Sequence, residues 1–159
     1  MENIRDCLFD RGEARYLVTE TASRLWTLVQ AEGPFLQELC RGQGLVHGDF
    51  QGDNILLRED AGHWRVAGVL DWEWAHSGCY LKDVGSLLRY EGEPCMAFQR
   101  GLESGFSRLG APLPPEWSRA ARIWDMAALC EKLAYPRHRG EVTFRCIRII
   151  ERCLQDYAG

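Results

Sequence analysis

The sequence predicts a mainly α-helical fold that contains one small β-hairpin. Apolar residues recur at helical spacing before residue 40 and again from residue 81 towards the C-terminus. Between these regions, two short segments rich in Val, Leu and Ile flank a turn at Glu59-Asp60-Ala61-Gly62. The length of 159 residues suits one domain of ordinary size, and no linker-like stretch interrupts it. We therefore expect residues 1–159 to form a single domain.

The N-terminal region predicts helices that carry no functional residue. Residues 4–18 show a weak helical pattern, and Thr19 or Thr21 is placed to cap a stronger helix. The apolar positions at helical spacing in that helix are Ala22, Leu25, Trp26 and Val29. Gly33-Pro34 is expected to end it, because proline suits the first turn of a helix, here a second short one through Cys40.

The hairpin brings together two parts of the chain that are distant in sequence. Its strands are predicted over residues 55–57 and 64–70. If the turn centres on Ala61-Gly62, residue 54 lies opposite residue 69, and Asp71 extends two residues, roughly 7 Å, beyond Asn54. Side chains at these two positions could then share one magnesium ion.

Four helices are predicted after the hairpin, and Ser77-Gly78 is predicted to be a loop. The helices run over residues 81–90, 93–109, 115–136 and 142–157, with Pro115 at the start of the third. In the last helix we expect Ile147, Ile150 and Leu154 to face the core. The six tryptophans of the chain are also expected to be core residues.

The composition argues against nucleic acid and membranes as partners. A formal net charge of -4 opposes binding to a nucleic-acid backbone and suits a neutral or cationic small molecule. No apolar run approaches the ~18 residues that span a bilayer. The N-terminus also lacks the basic start and apolar run of a secretory signal. We therefore expect a cytoplasmic protein.

The seven cysteines are odd in number and scattered, and none belongs to a Cys-x-x-Cys pair. This spacing argues against both a disulfide framework and a zinc site. We expect buried, reduced thiols.

Asp49 lies in the segment with the strongest chemical signature, His47-Gly48-Asp49-Phe50-Gln51-Gly52-Asp53-Asn54. A carboxylate here can orient an attacking hydroxyl group, and orientation outweighs proton removal in phosphoryl transfer because the transition state is loose. The alternative is a structural aspartate in an Asx-turn. The presence of His47, Asn54 and Asp71 at these spacings favours the catalytic role.

Asn54 and Asp71 are the candidate magnesium ligands. Magnesium prefers hard oxygen ligands and keeps waters and substrate phosphates, so one amide and one carboxylate suffice. Taken separately, Asn54 could be a turn residue at a strand entry and Asp71 a cap at a strand end. Neither alternative explains why the two are paired across a hairpin.

Further polar residues surround this pair. His47 could be a general base or a zinc ligand, but the other histidines do not complete a zinc-ligand spacing. A buried, hydrogen-bonded histidine that braces the loop is favoured. Asp83 could cap its own helix or brace residues 47–49 by accepting backbone N–H bonds. Asp53 and Glu73 are candidate contacts for a cationic substrate, with solvated loop carboxylates as the alternative.

Two segments of the chain, residues 47–56 and 69–75, resemble the aminoglycoside phosphotransferase family, the small-molecule branch of the protein-kinase-like fold. Residues 77–89 and 110–117 resemble it as well. The resemblance implies the large, C-terminal lobe of that fold, with Asp49 as the catalytic aspartate and Asn54 and Asp71 as magnesium ligands. It also implies Mg²⁺, ATP or GTP as the phosphate donor, and the hydroxyl group of a small molecule as the acceptor.

The N-terminal part of the chain departs from that family. Only 46 residues precede the motif, and they predict helices rather than the sheet of a nucleotide-binding N-terminal lobe. Lys82 and Lys132 both follow the motif, so neither matches the lysine that pairs with phosphates. We expect weak or no catalysis by this chain alone. A non-catalytic scaffold that forms a homodimer or binds a complementing N-terminal lobe is the alternative, and a metal-dependent hydrolase ranks last.

Overall fold

The computed structural model describes residues 5–10, 17, 19–41, 44–89, 96–133 and 140–157. Within these ranges the helices are α1 (Thr19–Leu39), α2 (Leu81–Leu88), α3 (Met96–Arg108), α4 (Trp117–Leu133) and α5 (Glu141–Asp156). The strands are β1 (Gly44–Val46), β2 (Ile55–Asp60), β3 (His63–Val69) and β4 (His76–Gly78), in antiparallel pairs β1–β4 and β2–β3. A π-helical turn spans Asp6–Asp10, and 3₁₀ turns span Gly52–Asn54 and Trp72–Trp74. The prediction of a mainly α-helical fold with a small β-hairpin is confirmed.

The four helices predicted after the hairpin are present. Residues 11–16, Tyr90, Glu93, Pro94 and Pro136, which the predictions placed in or beside helices, lie outside the described residues. The buried face of α5 contains Ile150 and Leu154 as predicted, whereas Ile147 is only half-buried. Among the described residues, no helix is both long enough and apolar enough to cross a membrane.

Pro34 lies inside α1 and does not end it, so the prediction of two helices is wrong. A proline in a helix interior removes one backbone hydrogen bond and crowds the carbonyl four residues earlier, which costs ~3 kcal/mol or more. The buried residues of α1 nevertheless continue along one stripe on both sides of the proline: Ala22, Leu25, Val29, Gly33 and Leu36. Burial of this stripe favours one continuous helix, because packing supplies most helical stability in proteins.

The chain divides into two compact units, residues 1–39 with 122–159, and residues 40–121. The first unit contains α1 and α5, which are joined where Arg24 Nη2 donates a 3.1 Å hydrogen bond to the carbonyl oxygen of Leu154. Leu25 and Ile150 are fully buried in this unit. The single domain expected from the sequence stays a prediction.

The second unit contains both strand pairs. β1 pairs with β4, with Gly44 opposite Gly78 and Val46 opposite His76. The prediction of a loop at Ser77-Gly78 is therefore wrong. A strand as short as β1 would leave backbone N–H and C=O groups unpaired unless a second segment paired with it, and β4 does so. A three-residue strand is too short to show an alternating pattern, which explains why its sequence resembles a loop.

Cys40 and Cys79 form a disulfide, so the prediction of reduced cysteines is wrong for these two. They are 39 positions apart; Cys79 directly follows β4, and Cys40 lies four residues before the β1 residue that pairs with the end of β4. Sequence spacing does not reveal such a pair, because the approach of the two residues depends on the fold. Cys7, Cys130 and Cys146 are buried free thiols, Cys153 is partly buried, and Cys95 lies outside the described residues. Burial raises the pKa of the Cys130 and Cys153 thiols, which keeps them protonated at neutral pH.

The tryptophans do not all belong to the core. Trp117 is buried, and its Nε1 donates a 3.0 Å hydrogen bond to Glu103. Trp64, Trp72 and Trp74 are instead exposed, Trp64 by 70%. These three lie on the two-stranded hairpin and on the turn after it, where most residues are exposed. Apolar residue type alone therefore did not predict burial.

Candidate functional site

The β2–β3 hairpin carries an irregularity that bears on the site. Beside the turn, Asp60 lies opposite His63, which is the register predicted from a turn at Ala61-Gly62. The register then shifts between Leu56 and Leu57. Such a β-bulge places one extra residue in one strand, so every later pairing moves by one position. The predicted opposition of residues 54 and 69 is therefore wrong by one residue.

Asn54 lies opposite Leu70 because of this bulge. The N–H of Leu70 donates a 2.9 Å hydrogen bond to the main-chain carbonyl oxygen of Asn54. Asp71 is thus one residue past that position in the chain rather than two. The main chain of Asp71 is therefore closer in register to Asn54 than the sequence suggested.

Asp71 has a left-handed backbone conformation, with φ 60° and ψ 56°. It is exposed and directly precedes the turn Trp72–Trp74, yet its side chain makes no capping hydrogen bond to that turn. Residues other than glycine adopt this conformation rarely, although aspartate tolerates it better than most. Backbone strain of this kind concentrates at functional sites. The geometry thus supports a functional carboxylate rather than a cap.

Asp49 is half-buried in the loop between β1 and the turn Gly52–Asn54. Its N–H donates a 3.3 Å hydrogen bond to Nδ1 of His47, and its carbonyl oxygen accepts a 2.9 Å bond from Nδ2 of Asn54. This bond holds the side-chain nitrogen of Asn54 against the loop. The side-chain oxygen of Asn54 is the atom that can bind a cation. The Asp49 carboxylate accepts a 3.0 Å bond from Nε2 of Gln51 at Oδ2. Asp49, the candidate catalytic residue, and Asn54, a candidate metal ligand, are therefore joined by a hydrogen bond.

His47 is buried, with 2% of its surface exposed. Its Nδ1 accepts the N–H of Asp49, so a neutral imidazole carries its proton on Nε2, which lies 2.6 Å from the carbonyl oxygen of Leu70. The ring also packs against Trp72, with ring centroids 4.6 Å apart. His47 thus links the Asp49 loop to the residue immediately before Asp71.

Asp83 lies in the first turn of α2 and binds the same loop from its other side. Its Oδ2 accepts the N–H of His47 at 2.7 Å, and its Oδ1 accepts the N–H of Gly48 at 3.0 Å. Hydrogen bonds to a carboxylate are shorter and stronger than bonds between neutral groups. Asp83 therefore braces residues 47–49 by accepting backbone N–H bonds, which is one of the two roles predicted for it.

Gly48 lets this loop approach the segment after the hairpin. Its φ is 86°, and a Cβ at this position would lie 2.5 Å from the main-chain oxygen of Trp74. Glycine alone combines this backbone conformation with so close an approach. The loop that carries Asp49 and the turn that follows Asp71 are therefore in contact through backbone atoms.

Asp53 and Glu73 lie on the two 3₁₀ turns that flank the hairpin, and both are exposed. Within the described residues, neither takes part in the hydrogen bonds that join Asp49, Asn54 and Leu70. Their positions next to Asn54 and near Asp71 do add negative charge around the site.

The donor chemistry of the site suits magnesium. In the part of the chain that the structure describes, no three His, Cys, Asp or Glu side chains converge on a metal position. A zinc site needs such a set, whereas magnesium takes few protein ligands and completes its shell with water and phosphate oxygens. The amide oxygen of Asn54 and the carboxylate of Asp71 are hard donors of the required kind.

Several contacts of the site were not predicted from the sequence, among them His47 to Leu70, Gln51 to Asp49, and Gly48 to Trp74. The His47–Leu70 and Gly48–Trp74 contacts join residues distant in sequence. They could not be predicted, because neither the bulge nor the pairing of the short strands β1 and β4 is visible in the sequence. A glycine between two polar site residues was nevertheless a usable signal, because such a glycine often marks a positive φ or a close backbone approach.

A loop carboxylate beside a paired amide and carboxylate on a hairpin is the arrangement expected of phosphoryl-transfer proteins. The model of the phosphotransferase enzyme family, APH, matches residues 4–123, which is most of the chain and includes every site residue above. The chain therefore belongs to this family, and the resemblance to aminoglycoside phosphotransferases is confirmed. No match is found among curated proteins or solved structures.

Proposed function

We propose that this chain is the catalytic lobe of a kinase that transfers the γ-phosphoryl group of ATP or GTP to the hydroxyl group of a small molecule. Asn54 and Asp71 would hold Mg²⁺ on the nucleotide, and Asp49 would orient the hydroxyl group. The observation that supports the proposal is the hydrogen bond from Leu70 N–H to the Asn54 carbonyl oxygen, because it pairs Asn54 with the residue that directly precedes Asp71.

The roles of these residues follow from the chemistry of phosphoryl transfer. Asp49 accepts the hydrogen bond of the attacking hydroxyl group and takes its proton as the new O–P bond forms. The bond between the γ-phosphorus and the β,γ-bridging oxygen breaks in the same step. Bound magnesium supplies neutralisation of phosphate charge, and Asn54 and Asp71 fix its position.

The acceptor is proposed to be a small hydroxylated molecule, with a preference for cationic ones because Asp53 and Glu73 are exposed beside the site. The reaction is proposed to take place in the cytoplasm, where ATP is available, although a disulfide such as Cys40–Cys79 is uncommon in that compartment. Catalysis by this chain alone is proposed to be weak, since Lys82 and Lys132 both follow the motif in sequence. Robust ATP-dependent phosphorylation by the chain, lost in Asp49→Ala, would contradict the weak-activity proposal.

A thermal-shift experiment with MgATP tests the metal ligands. At saturating MgATP the melting temperature should rise by about 5 °C or more. Asp71→Ala should abolish that rise, whereas Asp49→Ala should keep it, because only Asp71 is proposed to hold the metal.

Glu59→Ala is the matched control for Asp71→Ala, because Glu59 is an exposed carboxylate on the same hairpin. It should respond to MgATP like the unmodified protein. An equal rise in Asp71→Ala and the unmodified protein would exclude Asp71 as a ligand.

A scaffold module is the second candidate function, and exposed apolar side chains on the hairpin favour it. Leu57 lies opposite Val66, and Trp64 lies on the same face; their exposed fractions are 58%, 64% and 70%. Such a patch suits a homodimer or a complementing N-terminal lobe. Gel filtration that shows a dimer, together with no MgATP response, would favour the scaffold over the kinase.

A further inference from the structure

We propose that Gln51 is a positioning residue that orients the carboxylate of Asp49 towards the acceptor hydroxyl group. This inference rests on the proposed phosphotransferase function. It concerns a residue that the sequence patterns did not single out, and it follows from the 3.0 Å hydrogen bond that Gln51 Nε2 donates to Oδ2 of Asp49.

The main chain of Asp49 is already held by its neighbours. Its N–H is bonded to His47 and its carbonyl oxygen to Asn54. These two contacts hold the main chain of Asp49, and main-chain bonds do not by themselves set the side-chain torsions that orient the carboxylate. The bond from Gln51 restrains that rotation.

Gln51 also contacts Asn54, one of the two candidate magnesium ligands. It has an extended backbone, φ -143° and ψ 166°, directly before the turn Gly52–Asn54, and its side chain does not cap that turn. Its carbonyl oxygen instead accepts a 2.9 Å bond from the N–H of Asn54. Gln51 therefore holds Asp49 through its side chain and Asn54 through its main chain, so a side-chain substitution leaves the second contact in place.

A glutamine amide suits this task chemically. It donates a hydrogen bond but does not ionise, so it cannot take the proton that Asp49 receives. A carboxylate offers about four lone-pair positions, and a donor on one of them sets the directions in which the acceptor hydroxyl group can approach. The expected consequence is an effect on the chemical step and not on nucleotide binding.

Two variants of the full chain separate these effects, with MgATP as the probe, water as the O–H acceptor of the γ-phosphoryl group, and release of ADP and phosphate as the readout. Gln51→Met keeps the side-chain length without the donor and should lower kcat by about tenfold to a hundredfold, because small errors in orientation are costly to rate. KM for MgATP should stay within about twofold, the split expected when ground-state binding is kept. Gln51→His restores an N–H donor at similar reach and should recover kcat to within about threefold of the unmodified protein.

Nuclear magnetic resonance tests the contact independently of turnover. The side-chain amide protons of Gln51 should be shifted from free-amide positions, and Asp49→Ala should return them there. Unmoved resonances in Asp49→Ala would overturn the inference, as would an unchanged kcat in Gln51→Met when Asp49→Ala is inactive. If the amide signature is present but MgATP causes no thermal shift, the proposed function fails and the inference about catalysis falls with it. Amide protons that are shifted in the unmodified protein and return to free-amide positions in Asp49→Ala, together with the KM–kcat split, support both.

Discussion

Replacing Gly48 with alanine is expected to destabilise the protein by about 3 kcal/mol and to remove its response to MgATP. The φ of 86° is strained for any residue with a Cβ, and that Cβ would lie 2.5 Å from the main-chain oxygen of Trp74. The loop must therefore move away from the segment after the hairpin. Because Asp83 binds the N–H of Gly48, movement of the loop also weakens the brace that supports Asp49.

Gly62→Ala is the matched control for this prediction. Gly62 has a similar φ of 79°, but a Cβ there would meet nothing within 4 Å. The free energy of unfolding of Gly62→Ala should fall only by the cost of the strained backbone conformation, about 1–2 kcal/mol. Chemical denaturation of both variants measures the difference, which is the contribution of the contact with Trp74. Equal losses in the two variants would show that the approach of Trp74 does not constrain residue 48.

The hairpin shows what could be predicted from sequence and what could not. Apolar strands on either side of Ala61-Gly62 predicted the pairing correctly, because turn chemistry and strand patterns are local properties. The bulge between Leu56 and Leu57 depends on how side chains pack on the two faces, and no local pattern revealed it. The error of one residue is small in sequence, yet it halves the offset between Asn54 and Asp71.

Other differences share the same cause, which is that distant contacts outweighed local preference. Pro34 is a local signal for a helix end, but the buried stripe of α1 continues through it. Ser77-Gly78 resembles a loop, but β1 pairs with it. Trp64 is apolar in type but lies on an exposed strand. Local rules therefore located the elements, and contacts between elements decided their ends and their burial.

The candidate site residues could be proposed from the sequence because their spacing suggests a chemistry, whereas the contacts that support them could not be predicted. The positive φ of Asp71 is a property of the bend after β3, and aspartate is only permissive for it. Two of the hydrogen bonds at Asp49 use its backbone N–H and C=O groups, and a sequence motif does not reveal backbone bonding. A motif therefore suggests which groups could react and says little about the contacts that orient them.

Loss of the Cys40–Cys79 disulfide is expected to destabilise the protein by about 4 kcal/mol, because the bridge closes a long loop in the unfolded chain. The separation of 39 positions sets this estimate. The bridge also lies at the end of the β1–β4 pair opposite His47, and Cys79 precedes Asp83 by four residues. Reduction should therefore loosen both attachments of the Asp49 loop.

Melting experiments with and without a thiol reductant measure this effect. The melting temperature of the oxidised protein should fall by about 10 °C on reduction, to that of the double variant Cys40→Ser/Cys79→Ser. Cys153→Ser removes a free, partly buried cysteine from α5 and should change stability by less than about 1 kcal/mol. Alkylation of Cys40 and Cys79 in denatured, unreduced protein would show that the bridge is absent. Asp83 can brace the Asp49 loop only if α2 keeps its position relative to β4. The double variant should therefore also bind MgATP more weakly than Cys153→Ser.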